Sequence, residues 1–94
     1  MTEDQVELRR NDAEGCYEVH VGNQRVGLAT FQDLGYAVDL PHTEVHPSMN
    51  GRGLGGQLVR FALDDVRAMG RKVIPSCPFV ATFIKRHPEY ADLV

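Results

Sequence analysis

Apolar and polar positions alternate along the first half of the chain and then change period. In 16–21, Tyr17, Val19 and Val21 alternate with Glu18 and His20, the pattern of a half-buried strand. Gly22-Asn23 follows as a hairpin turn, and 24–31 carries Val26, Leu28 and Phe31. A turn around Asp33-Leu34-Gly35 leads into 36–45, where Tyr36, Val38 and Leu40 alternate again. Pro41 lies inside that run and cannot donate a ladder hydrogen bond, so a bulge, an edge or a break is expected there. Residues 6–10 add a candidate first strand, and 1–5 read as a polar, frayed start.

From 53 to 69 the period becomes helical. Leu54, Leu58, Phe61, Ala62, Val66 and Met69 recur every three or four residues, and Val59 and Leu63 widen the stripe to nearly half the circumference. A stripe that wide suits a helix lying flat on a sheet. Asp65 falls inside it without an evident reason. Gly70 is the expected stop. Lys72-Val73-Ile74 reads as a short strand, Pro78 opens a second helix with Phe79, Val80, Phe83 and Ile84 on one face, and the tail 88–94 packs back. The sum is an α+β fold: a mostly antiparallel sheet, one main helix after a glycine loop, and a short C-terminal helix over one or both sheet faces.

The 94 residues fit a single domain, 1–94, with a thin core. A formal net charge of −3 argues against nucleic acid as a partner. No apolar run is long enough for a membrane span, and the acidic first twenty residues do not read as a signal peptide, so a cytoplasmic location is expected. Cys16 and Cys77 match no zinc spacing, and a disulfide between them is not expected in a reducing compartment. His42 and His46 would stand about 13 Å apart on a strand, too far to share a metal, and no metal site is expected. A thin core and an exposed sheet edge leave monomer and weak homodimer both open.

The most informative stretch is Asn50-Gly51-Arg52-Gly53-Leu54-Gly55-Gly56, between a strand and an amphipathic helix. Amides at a helix start lack intrahelical acceptors, and glycines let an anion approach them closely. The helix dipole and the Arg52 cation favour the same ligand charge. The segment lacks the Gly-Lys-Ser/Thr of a Walker loop. It fits a Gly-x-Gly-x-x-Gly string, but some fifty mostly β residues precede it, which is the wrong context for a dinucleotide fold.

Val45 followed by Asn50-Gly51-Arg52-Gly53-Leu54-Gly55 resembles motif A of the GCN5-related N-acetyltransferases. With His42-Thr43-Glu44-Val45, Pro75-Ser76-Cys77-Pro78-Phe79-Val80 and Arg86-His87-Pro88-Glu89-Tyr90, the pattern resembles the small single-domain, NATD1-like or YjdJ-like, branch of that superfamily. The resemblance implies a minimal acyl-CoA N-acyltransferase fold with acetyl-CoA as substrate. It implies that Val45 and its neighbour His46 line the pantetheine arm. It further implies that the amides of Asn50, Gly51, Arg52, Gly53, Leu54, Gly55 and Gly56 hold the pyrophosphate. Two departures stand out. Asn50 occupies the position where the superfamily usually has Gln or Arg, and Lys85 stands where larger members often carry an acidic-proton-donating tyrosine. The two N-terminal helices that commonly build the acceptor pocket are also not legible, which leaves the amine acceptor undefined.

Three side chains are candidates for chemistry. Cys77 precedes Pro78 at a helix start, where the dipole favours thiolate, and the resemblance supports a nucleophilic role; cysteine is also a common core filler. His42 is a candidate general base, and Glu44, two residues on, shares its face on a regular strand and is a candidate to orient it or to act as base itself. Cys16 reads as packing or edge surface, His20 as exposed and His87 as structural. Lys85 and Arg86 join Arg52 as candidates for the ribose phosphate, although basic residues on a terminal helix are usually just solvated. The reading is an acetyl-CoA-dependent acetyltransferase acting on an amine, by direct attack or through acetyl-Cys77. The alternatives are a non-catalytic acyl-CoA-binding module or regulatory partner protein, and a nucleotide-phosphate binder unrelated to CoA.

Overall fold

The computed structural model describes residues 5–94; the polar start read at 1–5 lies almost wholly outside them. Five strands form one sheet in the order β1-β2-β3-β4-β5: Val6–Asn11, Cys16–Val21, Gln24–Asp33, Ala37–Val45 and Lys72–Ile74. The first four pair antiparallel through short turns, and β5 joins β4 in parallel after the helical crossover. That crossover is α1, Leu54–Ala68; α2, Pro78–Arg86, follows β5, and a 3₁₀ segment, Pro88–Leu93, closes the chain.

The alternation in β2 sorts the sheet into two faces. Tyr17 and Val19 are fully buried and meet α1 through Leu58, Val59, Ala62, Leu63 and Val66. Val38 and Leu40 of β4 and Val73 of β5 extend this core, and Val80 and Ile84 of α2 with Tyr90 and Leu93 of the tail complete it. The helical stripe and the packed-back tail are therefore as the pattern predicts. The second face carries cross-strand rows: Cys16–Thr30–His42, and Glu18–Leu28–Glu44.

Glu18 differs from its sequence reading. Alternation predicts a solvated carboxylate, yet Glu18 is 6% exposed. Asn11 Nδ2 (2.9 Å) and Arg25 Nη1 (3.2 Å) donate to Oε2, and His20 Nε2 lies 2.9 Å from Oε1. His20, read as exposed, is mostly covered by this network, and Cys16 is packed rather than on the surface. Hydrogen bonds from His20 and Asn11 outweigh burial and hold the Glu18 carboxyl down to about 2.

Pro41 does mark a bulge. Thr30 opposes His42 and Gln32 opposes Asp39, so Leu40 and Pro41 together face the single residue Phe31. The extra residue reverses which backbone groups point to which edge of β4. The consequence is at the β4–β5 junction, where the candidate site lies.

Candidate functional site

β5 pairs with β4 only at Ala37–Asp39. The last link is Cys77 N–H to Leu40 C=O at 3.0 Å, reinforced by Ser76 Oγ donating to Asp39 Oδ1 at 2.6 Å. Beyond Leu40, β4 continues to Val45 while the other chain turns away at Pro75 into α2. The two strands splay. Residues 41–45 keep β3 on one side, and the other edge opens into a cleft of about 340 Å³. His46 N–H donates to Val26 C=O on the β3 side, so by alternation the main chain of Thr43 and Val45 faces the open edge.

The glycine loop forms the far wall. A 3₁₀ turn, Pro47–Met49, leads from β4; His46 caps it, its Nδ1 accepting from Ser48 N–H at 3.1 Å. Gly51 (φ 83°) and Gly53 (φ 73°) then adopt left-handed backbone that only glycine takes without strain. Gly53 caps α1 without a side-chain acceptor, and no acidic residue sits in the first turn. The first intrahelical bond of α1 runs from Gln57 N–H to Gly53 C=O at 3.1 Å. Among the described residues, no protein acceptor meets the amides of 51–56. These donors stand at the positive end of a fifteen-residue helix, and all of their residues but Arg52 line the cleft, an arrangement that suits an anion.

Glu44, Val45, Asn50, Gly51, Gly53, Leu54, Gly55 and Gly56 line this cleft. Leu54 offers only its main chain, because its side chain is in the core. Arg52 is exposed at the rim, its Nη1 3.2 Å from Met49 Sδ, and among the described residues no carboxylate pairs with it. His46 lines a second hollow on the other side of the β4 end, with Arg25, Leu28 and Glu44. Three lining residues were not singled out from sequence as ligand contacts: Thr43, Met49 and Phe79. Phe79 was read as plain helix core but is 46% exposed over the loop, its Cζ 3.0 Å from where a Cβ on Gly55 would stand.

The three chemical candidates divide into two groups. His42 Nε2 and Glu44 Oε1 meet at 2.8 Å on the open face of β4, both well exposed. Cys77 Sγ lies 3.7 Å from Thr43 Oγ1, and Thr43 alternates with His42 and Glu44, so Cys77 sits on the opposite, helix-covered face. The carboxylate–imidazole pair and the thiol flank the splay from its two sides. Burial opposes ionisation of Cys77, yet the amides of Val80 and Phe79 and the hydroxyl and amide of Thr43 outweigh it and lower the thiol below its ordinary range. None of the α2 amides closes a cap hydrogen bond to Sγ; they act as nearby dipoles. Cys16, by contrast, is pushed up by burial and by Glu18. Lys85 is exposed in the last turn of α2.

A splayed parallel strand pair with a glycine-capped helix start beside it is the architecture of an acyl-CoA-type transferase fold. Residues 16–93 match the family described as GCN5-related N-acetyl-transferase, and the chain belongs to that family. Protein NATD1 of Homo sapiens is 37% identical over 51 residues, covering 54% of this chain and 45% of that protein. The Gallus gallus NATD1 is 37% identical over 51 residues, covering 54% of this chain and 46% of its own length. The match thus spans less than half of these curated relatives. A GCN5-like protein of Staphylococcus aureus solved by NMR superposes with a TM-score of 0.71 over 93% of this chain and 85% of its own, at 21% identity, a likeness of fold. No helix among the described residues is long and apolar enough to cross a membrane.

Proposed function

We propose that this chain transfers an acetyl group from acetyl-CoA to an amine. The observation that carries the reading is the row of acceptor-free amides at 51–56 beside the open edge of β4. The pyrophosphate of CoA takes the amide row, Asn50 and Arg52 flank it, and the pantetheine arm adds itself to the main chain of Thr43 and Val45. The thioester then reaches the splay beyond Leu40. In the covalent route the Cys77 thiolate attacks the thioester carbonyl carbon. A bond forms from Sγ to the acetyl carbon, the bond to the CoA sulfur breaks, and CoA leaves as thiolate. An amine then attacks acetyl-Cys77, its surplus proton leaves to solvent, and the Cys77 thiolate is restored. In the direct route the amine attacks the thioester from the open face with the His42–Glu44 pair as base. The division of the two groups across β4 favours this second route as a rival, because His42 and Glu44 approach the thioester without passing Cys77. Two free cysteines fit a reducing compartment such as the cytoplasm.

A CoA-binding module without turnover is the second reading, and the tyrosines favour it. Tyr17 is tied to Asp65, Tyr90 to Asp64 and Arg60, and Tyr36 is 74% exposed, so no tyrosine lines the cleft to protonate a departing thiolate.

Thermal melts with CoA, acetyl-CoA, ATP and NAD decide the ligand. CoA and acetyl-CoA are expected to raise the midpoint, and no shift at millimolar CoA overturns the reading. Intact mass after acetyl-CoA incubation then separates the routes. One added acetyl, absent in Cys77→Ser, marks the covalent route; no adduct with turnover of an amine marks the direct one; binding with neither marks the module.

A further inference from the structure

We infer that Thr43 is a positioning residue for Cys77: its hydroxyl, at the junction of the cleft and the core, orients the Cys77 sulfur and stabilises it when it ionises. The inference rests on the acyl-transfer reading for its purpose but on geometry for its content.

Three observations converge on Thr43. Its Oγ1 lies 3.7 Å from Cys77 Sγ, within reach of a sulfur hydrogen bond. Thr43 also lines the cleft, whereas Cys77 is 6% exposed and lies behind it. Finally, the bulge at Leu40 and Pro41 sets the phase of β4, sending the Thr43 side chain toward α2 and its main-chain amide toward the open edge. The Thr43 hydroxyl is thus the side-chain partner of the sulfur, on the side opposite the Phe79 and Val80 amides. The neutral thiol donates to the hydroxyl; on deprotonation the hydroxyl turns and donates to the thiolate. A bond to a charged partner is the stronger of the two, so the exchange favours ionisation. Without the bulge, a regular β4 would turn Thr43 to the open face and bring His42 or Glu44 toward the sulfur.

The test is the ultraviolet titration of thiolate at 240 nm, read as the difference between each protein and its Cys77→Ser counterpart, which isolates Cys77 from Cys16. It needs neither acceptor nor CoA. Thr43→Val keeps the volume and the amides and removes the hydroxyl; its Cys77 titration is expected to move up by about half to one pH unit. Thr43→Ser is expected to restore it. Melting midpoints check that both variants are folded, and CoA protection of Cys77 from iodoacetamide is measured in parallel. A Thr43→Val titration superimposed on the wild type, or a Thr43→Ser titration shifted as far as Thr43→Val, overturns the positioning role. If instead the titration moves and CoA gives no protection, the hold on the thiol stands and the acyl-transfer reading falls.

Discussion

Tyr17 on β2 donates its hydroxyl to Asp65 in the last turn of α1 at 2.7 Å, and Arg10 Nη1 meets the same carboxylate oxygen at 2.6 Å. Tyr17 is fully buried, with Phe31 at 5.0 Å and Phe61 edge-on at 5.9 Å between ring centres. The carboxylate that interrupts the apolar stripe of α1 thus fastens the helix to the sheet. Desolvation and the Asp65 bond push the Tyr17 phenol well above its ordinary range. Asp65→Ala strands a buried hydroxyl and is expected to cost about 2 to 3 kcal/mol by urea denaturation, with Tyr17→Phe costing about half of that. Equal stability of Asp65→Ala and wild type would remove this account of the helix–sheet contact.

Glu18 supplies an acid-side prediction. Its folded carboxyl titrates near 2 and the unfolded one near the ordinary carboxylate value, so the unfolded state binds more protons between the two. The contribution is fully present above pH about 5 and is lost as pH falls toward 2. Glu18→Gln is therefore expected to be less stable at neutral pH and to show a flatter stability profile from pH 5 to 2, measured by chemical denaturation at each pH. A variant profile parallel to the wild type would contradict the network around Glu18.

Two glycines in the site region predict opposite outcomes. A Cβ on Gly27 would stand 2.8 Å from Glu44 carbonyl O and 2.9 Å from Val19 Cγ1, so the β3–β4 pairing itself would have to move. Gly27→Ala is expected to lose about 1–3 kcal/mol of stability. At Gly55 the added Cβ meets the Phe79 ring, which is partly exposed and free to swing toward the cleft. Gly55→Ala is expected to leave the melting midpoint within a few degrees of wild type but to weaken CoA binding by calorimetry.

Arg52 projects from the loop without a carboxylate partner among the described residues. In the proposed CoA complex its attraction to the phosphates is exposed and screened, so Arg52→Ala is expected to weaken CoA only about two- to fivefold. The loss should shrink as salt is raised from 50 to 500 mM. A loss of a hundredfold, or one indifferent to salt, would mean that the side chain rather than the amide row dominates the site.

Much of this was legible in the residue pattern because each signal had a local cause. The helical stripe, the Pro41 bulge, the stop at Gly70, the helix start at Pro78 and the free amides at 51–56 each follow from neighbouring residues. What the pattern hid came from pairings between distant segments. Asp65 needs Tyr17 and Arg10, and buried Glu18 needs Asn11 and Arg25, residues that the strand register brings together. Thr43 and Phe79 were invisible as site residues for a related reason. The first owes its direction to a bulge whose phase a proline announces but does not define, and the second to the space that Gly55 leaves on another helix. The pairing of His42 with Glu44 was readable from their spacing, whereas their separation from Cys77 by the thickness of β4 was not.

The central claim is that the main chain at 51–56 receives the diphosphate of coenzyme A, and amide-resolved NMR addresses it residue by residue. In a titration with CoA, the amide resonances of Gly51, Gly53, Gly55 and Gly56 are expected to move together and saturate, while Gly22 and Gly35, on turns outside the cleft, stay in place. Saturating changes that bypass the four loop glycines, or a spectrum unmoved at millimolar CoA, would contradict it.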